Sequence, residues 1–340
     1  MALNNQAAWF HKTNEKLQIG PAEVGKPGAG EILIKNHAVA IAPVDWKIQD
    51  GAFPLTGLPR VLGNDVAGEI VEVGENVSGF SKGQRVLGHA IGLVTGRPEQ
   101  GAFQNFTVVP AIAVSPIPDK LSYEEASVLP LAISTAADGL FHKDKLGLAT
   151  PGHKEENSGK AILIWGGSSS VGTAAIQLAV AAGLKVFATA SKKNFELVKE
   201  LGASEVFDHA SPSVVGDLTA ALQKYTLAGA YDAIGSRDSQ LNSAQVLVQL
   251  GGGTLAVVIP PIADIPATVN AKAVFALAIL LQDKEVGEAI YRDFLPAALE
   301  SGQIKPAPKA EVVGHGLEYI QPAIDALRPG VSAKKLVVTL

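Results

Sequence analysis

Cysteine is absent from all 340 residues. Disulfides are therefore excluded, as is every metal site that needs thiolates, including a four-cysteine structural zinc and a catalytic zinc held by cysteines and histidine. Basic clusters are missing too. The net charge is −5, and no run of Lys and Arg could neutralise a row of phosphates, so no nucleic-acid partner is expected. Apolar runs are short: the longest, 273–281, stays well under the ~18 residues a membrane span requires. The first residues show no basic stretch leading into an apolar one, so a cytoplasmic protein without a membrane partner is expected.

Core material is plentiful, with 47% hydrophobic and 18% charged residues, and nothing marks the chain as disordered. At this length a single core would be unusually large, and two domains are expected. Up to about residue 128, β-like runs at 31–35, 68–73, 84–87 and 105–109 alternate with Gly and Pro, the pattern of a barrel-like all-β unit. From 161 onward, apolar runs at 161–165, 184–188, 204–207, 230–234 and 254–259 alternate with helix-like segments, the pattern of a parallel sheet wrapped by helices. Residues 142–159 read as a surface loop. After about residue 271 come a long helical stretch, a short strand at 310–313, a helix near 318–327 and a closing strand at 335–339, a tail that can return to the first unit.

The run 161–165 leads directly into Gly166-Gly-Ser-Ser-Ser-Val-Gly172 and then an Ala-rich helix. Strand, tight turn and helix stand in the order a dinucleotide site requires. Gly167 supplies the turn, the small residues Ser168, Ser169 and Ser170 with Val171 let the backbone approach a pyrophosphate, and Gly172 permits close helix packing. The helix N-terminus then offers unpaired N–H groups and a favourable dipole. Ser169 stands where the usual G-x-G-x-x-G has its middle glycine, which weakens the bare motif. At the end of the second strand an NAD site would place Asp or Glu on the ribose hydroxyl. This chain has Ser191-Lys192-Lys193, a hydroxyl and two ammonium groups that attract a 2′-phosphate and favour NADPH over NADH. The bland alternative is a solvated helix start.

Together with Ala42-Pro-Val-Asp-Trp-Lys47, Gly63-Asn-Asp-Val-Ala-Gly68, Gly83-Gln-Arg-Val86, Gly101-Ala-Phe103 and Leu201-Gly-Ala203, the chain resembles the medium-chain dehydrogenase/reductase superfamily. Within it, the zinc-free quinone reductase and fungal enoyl reductase branches are nearest in pattern. The resemblance implies an α/β fold made of a GroES-like β-barrel catalytic domain (1–130 and 272–340) and a Rossmann doubly wound parallel-sheet NADP-binding domain (131–271). Zinc-dependent members carry Cys where this chain has Ala42 and a His-Glu pair where it has Asn64-Asp65, so no zinc is expected. None of the seven histidines forms a pair at ligand spacing. His209 occupies a place where relatives often have Tyr beside the adenosine phosphate, which makes it a cofactor contact by resemblance.

Without zinc, an unactivated ketone or alcohol loses its main transition-state stabilisation. Activated acceptors remain: the C=C bond of an α,β-unsaturated carbonyl, or a quinone. The resemblance places Pro43, Asp45 and Lys47 in the cleft near the nicotinamide, with Lys47 as proton donor or carbonyl anchor and Asp45 supporting the loop rather than acting as a base. An exposed Lys47 pairing with Asp50 is the alternative. Thr135 resembles the family's small polar contact to the nicotinamide, with Ser134 as its substitute. Backbone groups of Val258, Ile259 and Pro260, at the carboxyl end of the fifth strand, are expected at the carboxamide. Substrate choice is expected to lie in the loop 92–101 and near 274–281. A protein that binds NADPH without turnover stays open, as does a homodimer. Relatives can pair through an edge strand, and 254–259 is apolar enough to take part, but a buried strand needs the same composition. A carrier-protein partner would need a docking surface, and no feature identifies one.

Overall fold

The computed structural model describes residues 4–340. It divides into two compact units, one formed by 4–131 with 306–340 and the other by 132–305. Among the described residues no helix is long and apolar enough to cross a membrane.

In the first unit the strand Glu31–Ala40 is the organising element. One of its edges pairs antiparallel with Asp65–Val73. The other edge is shared: residues 31–35 pair with Phe106–Pro110, and 38–40 with the closing strand Lys334–Thr339. The sheet continues through Arg85–His89 to Val114–Pro116 on one side and Lys309–His315 on the other. Ile32, Leu33, Ile34, Val39 and Ala40 are buried, so this strand is covered on both faces, and each fully buried aliphatic side chain stabilises by ~1.5–3 kcal/mol. A separate three-stranded sheet of Gln18–Ala22, Asn5–Phe10 and Arg60–Val61 completes the unit.

The second unit is built on six parallel strands. In chain order they are Lys160–Trp165, Lys185–Ala190, Glu205–Asp208, Thr226–Asp232, Gly253–Val257 and Val269–Ala273. Their spatial order is third, second, first, fourth, fifth, sixth, so the order reverses between the first and fourth strands, where doubly wound sheets bind ligands. The first two strands are buried along almost their whole length, as parallel strands covered by helices on both faces must be. The α/β class with a barrel-like unit and a Rossmann-type sheet is therefore borne out.

Several boundaries differ from the sequence reading. The run expected at 230–234 is a strand from 226 to 232, whose register shifts between Leu227 and Ala230. The run 254–259 is strand only to Val257 and lies inside the sheet, paired on both sides. It is therefore a buried strand and not an edge; the edges are Glu205–Asp208 and Val269–Ala273. That last strand was not anticipated: Val269-Asn-Ala-Lys-Ala273 does alternate, but over only five residues with alanine at two of the apolar positions the signal is weak. The helical stretch begins at Ala278 rather than near 271 and is broken into Ala278–Leu281, Lys284–Glu288, a π-helical turn Ala289–Phe294 and Leu295–Ser301. Pro296 lacks the N–H that would bond the carbonyl of Arg292, which accounts for the widened turn. Residues 272–305 belong with the parallel sheet, so the boundary expected after 271 lies after 305. The segment follows directly from the sixth strand, and the buried Tyr291 hydroxyl meets Ser134 Oγ at 2.7 Å.

Candidate functional site

The turn after the first strand is held by the second. Gly166 N–H donates to Thr189 Oγ1 at 3.0 Å and Gly167 N–H to the Thr189 carbonyl at 2.8 Å. The left-handed residue is Gly166 (φ +83°), not Gly167 as expected, and the sequence reading did not include it in the site. Gly172 is the close-approach position: a Cβ there would lie 2.1 Å from the Gly166 carbonyl oxygen. Ser169 explains its departure from glycine. With φ −76° it needs no special conformation, and its side chain caps the helix Ser170–Ala181 by accepting from Gly172 N–H at 3.0 Å. The amides of Ser170 and Val171 remain at the helix start, where no intrahelical acceptor exists, and Ser168 to Val171 are partly exposed. A turn closed this tightly under a capped, open N-terminus fits a pyrophosphate.

The carboxyl end of the fourth strand forms the opposite lip. Asp232, fully buried, accepts from the amides of Ile234 at 2.9 Å and Gly235 at 3.0 Å and from Ser239 Oγ at 2.7 Å. Burial raises its pKa, opposed by those three hydrogen bonds. The loop it shapes puts Ile234, 47% exposed, against the first turn, since a Cβ on Gly166 would meet Ile234 at 2.4 Å. Ile259 closes on Gly235 in the same way. Val258 donates its N–H to the Asp232 carbonyl at 3.2 Å. Val258 and Ile259 are partly exposed and Pro260 is exposed, so the structure brings 258–260 to the end of the sheet that also carries 166–172. Asp232 and Ile234 were missed; an acid inside an apolar run, three residues before Gly235, was the available signal.

At the end of the second strand Ser191 Oγ lies 3.1 Å from His209 Nε2, and Lys192 Nζ lies 3.7 Å from Asp208. The three residues expected at the 2′-phosphate, Ser191, Lys192 and His209, are thus neighbours. The Lys192 side chain is 81% exposed, and such a surface pair is worth at most ~1 kcal/mol, so its ammonium can turn to a dianion at little cost. Asn194, nearly buried, donates to Ser168 Oγ at 3.2 Å and ties this corner to the phosphate turn.

Thr135 lies on the helix Pro130–Phe141, with its carbonyl accepting from the buried Tyr231 hydroxyl at 2.8 Å. The proposed substitute, Ser134, is fully buried and bonded to Tyr291. It is committed to packing and does not replace Thr135.

In the first unit the short helix Pro43–Gln49 starts with Pro43 at its first position, where a missing N–H costs nothing. Pro43 is exposed and Lys47 partly exposed. Lys47 does not pair with Asp50, which is bonded to Arg328; its ammonium lies 5.7 Å from the Trp46 ring centroid. Asp45 is fully enclosed. It accepts from Ala42 N–H at 2.8 Å and sits 3.4 Å from Asn64 Nδ2, so its carboxyl faces inward and holds the loop rather than standing open to a cofactor. Burial raises its pKa to about 7.

Beside it, Asp65 accepts from Leu131 N–H at 2.6 Å and pairs with the Lys335 ammonium at 2.9 Å, with both side chains at most 5% exposed. His89, across the ladder from Asp65, is buried and pushed down to about 4. Lys335 was missed, because a lysine next to the exposed Lys334 reads as surface. Among the described residues no group of three or more His, Cys, Asp or Glu is arranged to hold a metal ion.

Residues 28–119 match the model of the alcohol dehydrogenase GroES-like domain and 170–279 that of the zinc-binding dehydrogenase. The chain is 44% identical to the trans-enoyl reductase himH of Aspergillus japonicus, over 100% of this chain and 98% of that protein. It is 42% identical to the dehydrogenase orsE of Emericella nidulans, over 99% of both. An alcohol dehydrogenase superfamily protein from Novosphingobium aromaticivorans superposes with a TM-score of 0.78 at 27% identity, over 99% of each chain. The chain belongs to the medium-chain dehydrogenase/reductase superfamily of oxidoreductases, in its enoyl reductase-like branch.

Proposed function

We propose that the chain is a zinc-independent, NADPH-dependent reductase that saturates the C=C bond of an α,β-unsaturated carbonyl. The observation that carries the cofactor assignment is the corner made by Ser191, His209 and Lys192, where a hydroxyl and an imidazole meet, an exposed ammonium lies beside Asp208, and Ser191 stands where an NAD site has its ribose-binding acid. The acceptor class follows from the trans-enoyl reductase relative together with Ala42 and Asn64 at the places of the zinc ligands. The charge of Asp65 is already balanced by Lys335, which leaves it no need of a metal.

When bound, the nicotinamide supplies the hydride that forms a new C–H bond at the β-carbon. The C=C electron pair then moves toward the carbonyl oxygen as an enolate, and a proton must reach the α-carbon. Lys47 is the proposed proton donor, or the hydrogen-bond donor to that oxygen. Thr135 would contact the nicotinamide, the 258–260 backbone would hold its carboxamide, and the amides of Ser170 and Val171 would hold the pyrophosphate.

The test is NADPH oxidation against enals, enones, quinones and plain ketones, with NADH and a chelator as controls. Turnover of enals or enones but not ketones, unaffected by the chelator, is the expected result. Turnover of quinones alone would replace the acceptor, stoichiometric zinc in active protein would overturn the metal-free reading, and NADPH binding without any turnover would make the chain a sensor.

A further inference from the structure

The sixth strand, parallel to the first, ends at the same carboxyl end of the sheet as the phosphate turn, and the chain leaving it is tightly held. Val274 N–H donates to the Val257 carbonyl at 2.8 Å, so the ladder runs one residue further and Phe275 is the first residue off the sheet. Val257 immediately precedes Val258, which the proposed function places at the carboxamide. Residues 277–280 then turn inward and are at most 5% exposed, but Phe275 is 43% exposed. Its ring is thus a large apolar surface at the carboxyl end of the sheet, the end at which the proposed function places the nicotinamide.

Its backbone is held from both sides. Phe275 N–H donates to Asp138 Oδ2 at 2.8 Å, and the Lys145 ammonium donates to the Ala273 carbonyl. Asp138 is fully buried, and its Oδ1 has no hydrogen-bond partner among the described residues. A carboxylate buried with one oxygen unsatisfied calls for an explanation. Here it fixes one amide, next to the carbonyl held by the ammonium, so the backbone on either side of Val274 is pinned.

We propose that Asp138 and Lys145 form a clamp that positions the Phe275 ring as an apolar wall, selecting acceptors that carry an apolar chain beyond the conjugated carbonyl. The ring's place is set before the acceptor arrives, so contact with the chain is not discounted by the entropy of ordering the loop. Phe275 is the specificity-determining residue, and Asp138 is a positioning residue that acts through it. The inference rests on the proposed reductase reading.

The experiment measures kcat/KM for a homologous series of trans-2-enals and, in parallel, of 2-alkyl-1,4-benzoquinones. Full burial of a methylene is worth about fourfold, so the wild type should gain ~2- to 4-fold per added methylene. Phe275→Ala should flatten that slope. Asp138→Ala should flatten it too, with an NADPH Kd within about twofold of wild type, whereas Asp138→Asn, which keeps a carbonyl oxygen for the Phe275 amide, should restore it. A slope unchanged in Phe275→Ala overturns the proposal. So does an Asp138→Ala variant that loses activity uniformly at every chain length, since that is what a merely structural role predicts. Turnover confined to the quinone series would sink the enone reading while the alkyl slope still judged Phe275. Absence of turnover in both series would overturn both.

Discussion

Replacing Asp45 by Asn removes one of two buried groups in the first unit whose proton equilibria pull stability in opposite directions. Burial raises Asp45 from 3.8 to about 7; the Asp65 charge adds to the rise, and Lys335 and the amides of Ala42 and Gly63 oppose it. The native state therefore holds this proton more tightly than the unfolded chain, and stability falls as pH rises from about 4 to about 7. At 1.36 kcal/mol per pKa unit the loss approaches ~4 kcal/mol. His89 does the reverse. Burial lowers it from 6.5 to about 4, with Lys335 acting in the same sense and Asp65 against. The unfolded state then binds more protons between those values, and stability rises over that window by ~3 kcal/mol.

The two slopes nearly cancel in the wild type between pH 4 and 6.5. Asn at position 45 keeps a carbonyl oxygen for the Ala42 amide and cannot titrate, so the His89 slope survives, joined by a lesser one of the same sign from His37, whose pKa burial also lowers. Amide exchange in the strand Glu31–Ala40, corrected for the intrinsic pH dependence of exchange, reads the opening free energy of this unit separately. Protection in Asp45→Asn should rise by two orders of magnitude or more between pH 4 and 6.5, while the wild type stays nearly level. Parallel curves for the two proteins would refute the reasoning.

Exchanging Lys192 and Lys193 together for Ala should weaken NADPH at least tenfold and leave NADH within about twofold, since under the proposed assignment the two ammonium groups favour a 2′-phosphate that NADH lacks; equal losses in a fluorescence titration would count against the assignment. Gly172→Ala puts a methyl against the Gly166 carbonyl oxygen, and the shift this forces should cost ~1–3 kcal/mol, visible as lost nucleotide affinity before any large drop in melting temperature. Lys335→Met strands the buried Asp65 carboxylate and should cost ~3–5 kcal/mol, whereas adding Asp65→Asn should recover most of it. A purely additive double variant in denaturation would show that the pair is not coupled.

The parts of the molecule that local chemistry dictates could be read from the chain. The first parallel strand, its Gly and Ser turn and the following helix announce themselves because an apolar run, small residues and an Ala-rich segment each have one sensible conformation. Ser191 and Lys192 were singled out because a hydroxyl and an ammonium are residue types that would attract a 2′-phosphate, and His209 by resemblance; the structure makes the three neighbours. The hidden features depend on partners distant in sequence. Lys335 is buried only because Asp65 waits for it, and nothing in the closing strand says so. Asp138 gains its meaning from the Phe275 amide, far along the chain. The sixth strand is held at the edge by pairing with Gly253–Val257 rather than by its own composition. Ser134 and Thr135 are adjacent and chemically alike, and their difference, full burial and a bond to the Tyr291 hydroxyl for Ser134, comes from a partner far along the chain.

The divided edge of Glu31–Ala40 carries a consequence for how the polypeptide is made. Residues 31–35 find Phe106–Pro110 within the first stretch of synthesis, but 38–40 must wait for 337–339, and the entire second unit is translated in between. That second unit is contiguous and can close on itself as it emerges. The barrel-like unit meanwhile holds an open, strongly apolar hydrogen-bonding rim that a neighbouring nascent chain could capture. The strand that seals the first unit is thus made only after the whole second unit, and a ribosome stalled before residue 334 would display a template for aggregation rather than a shortened enzyme.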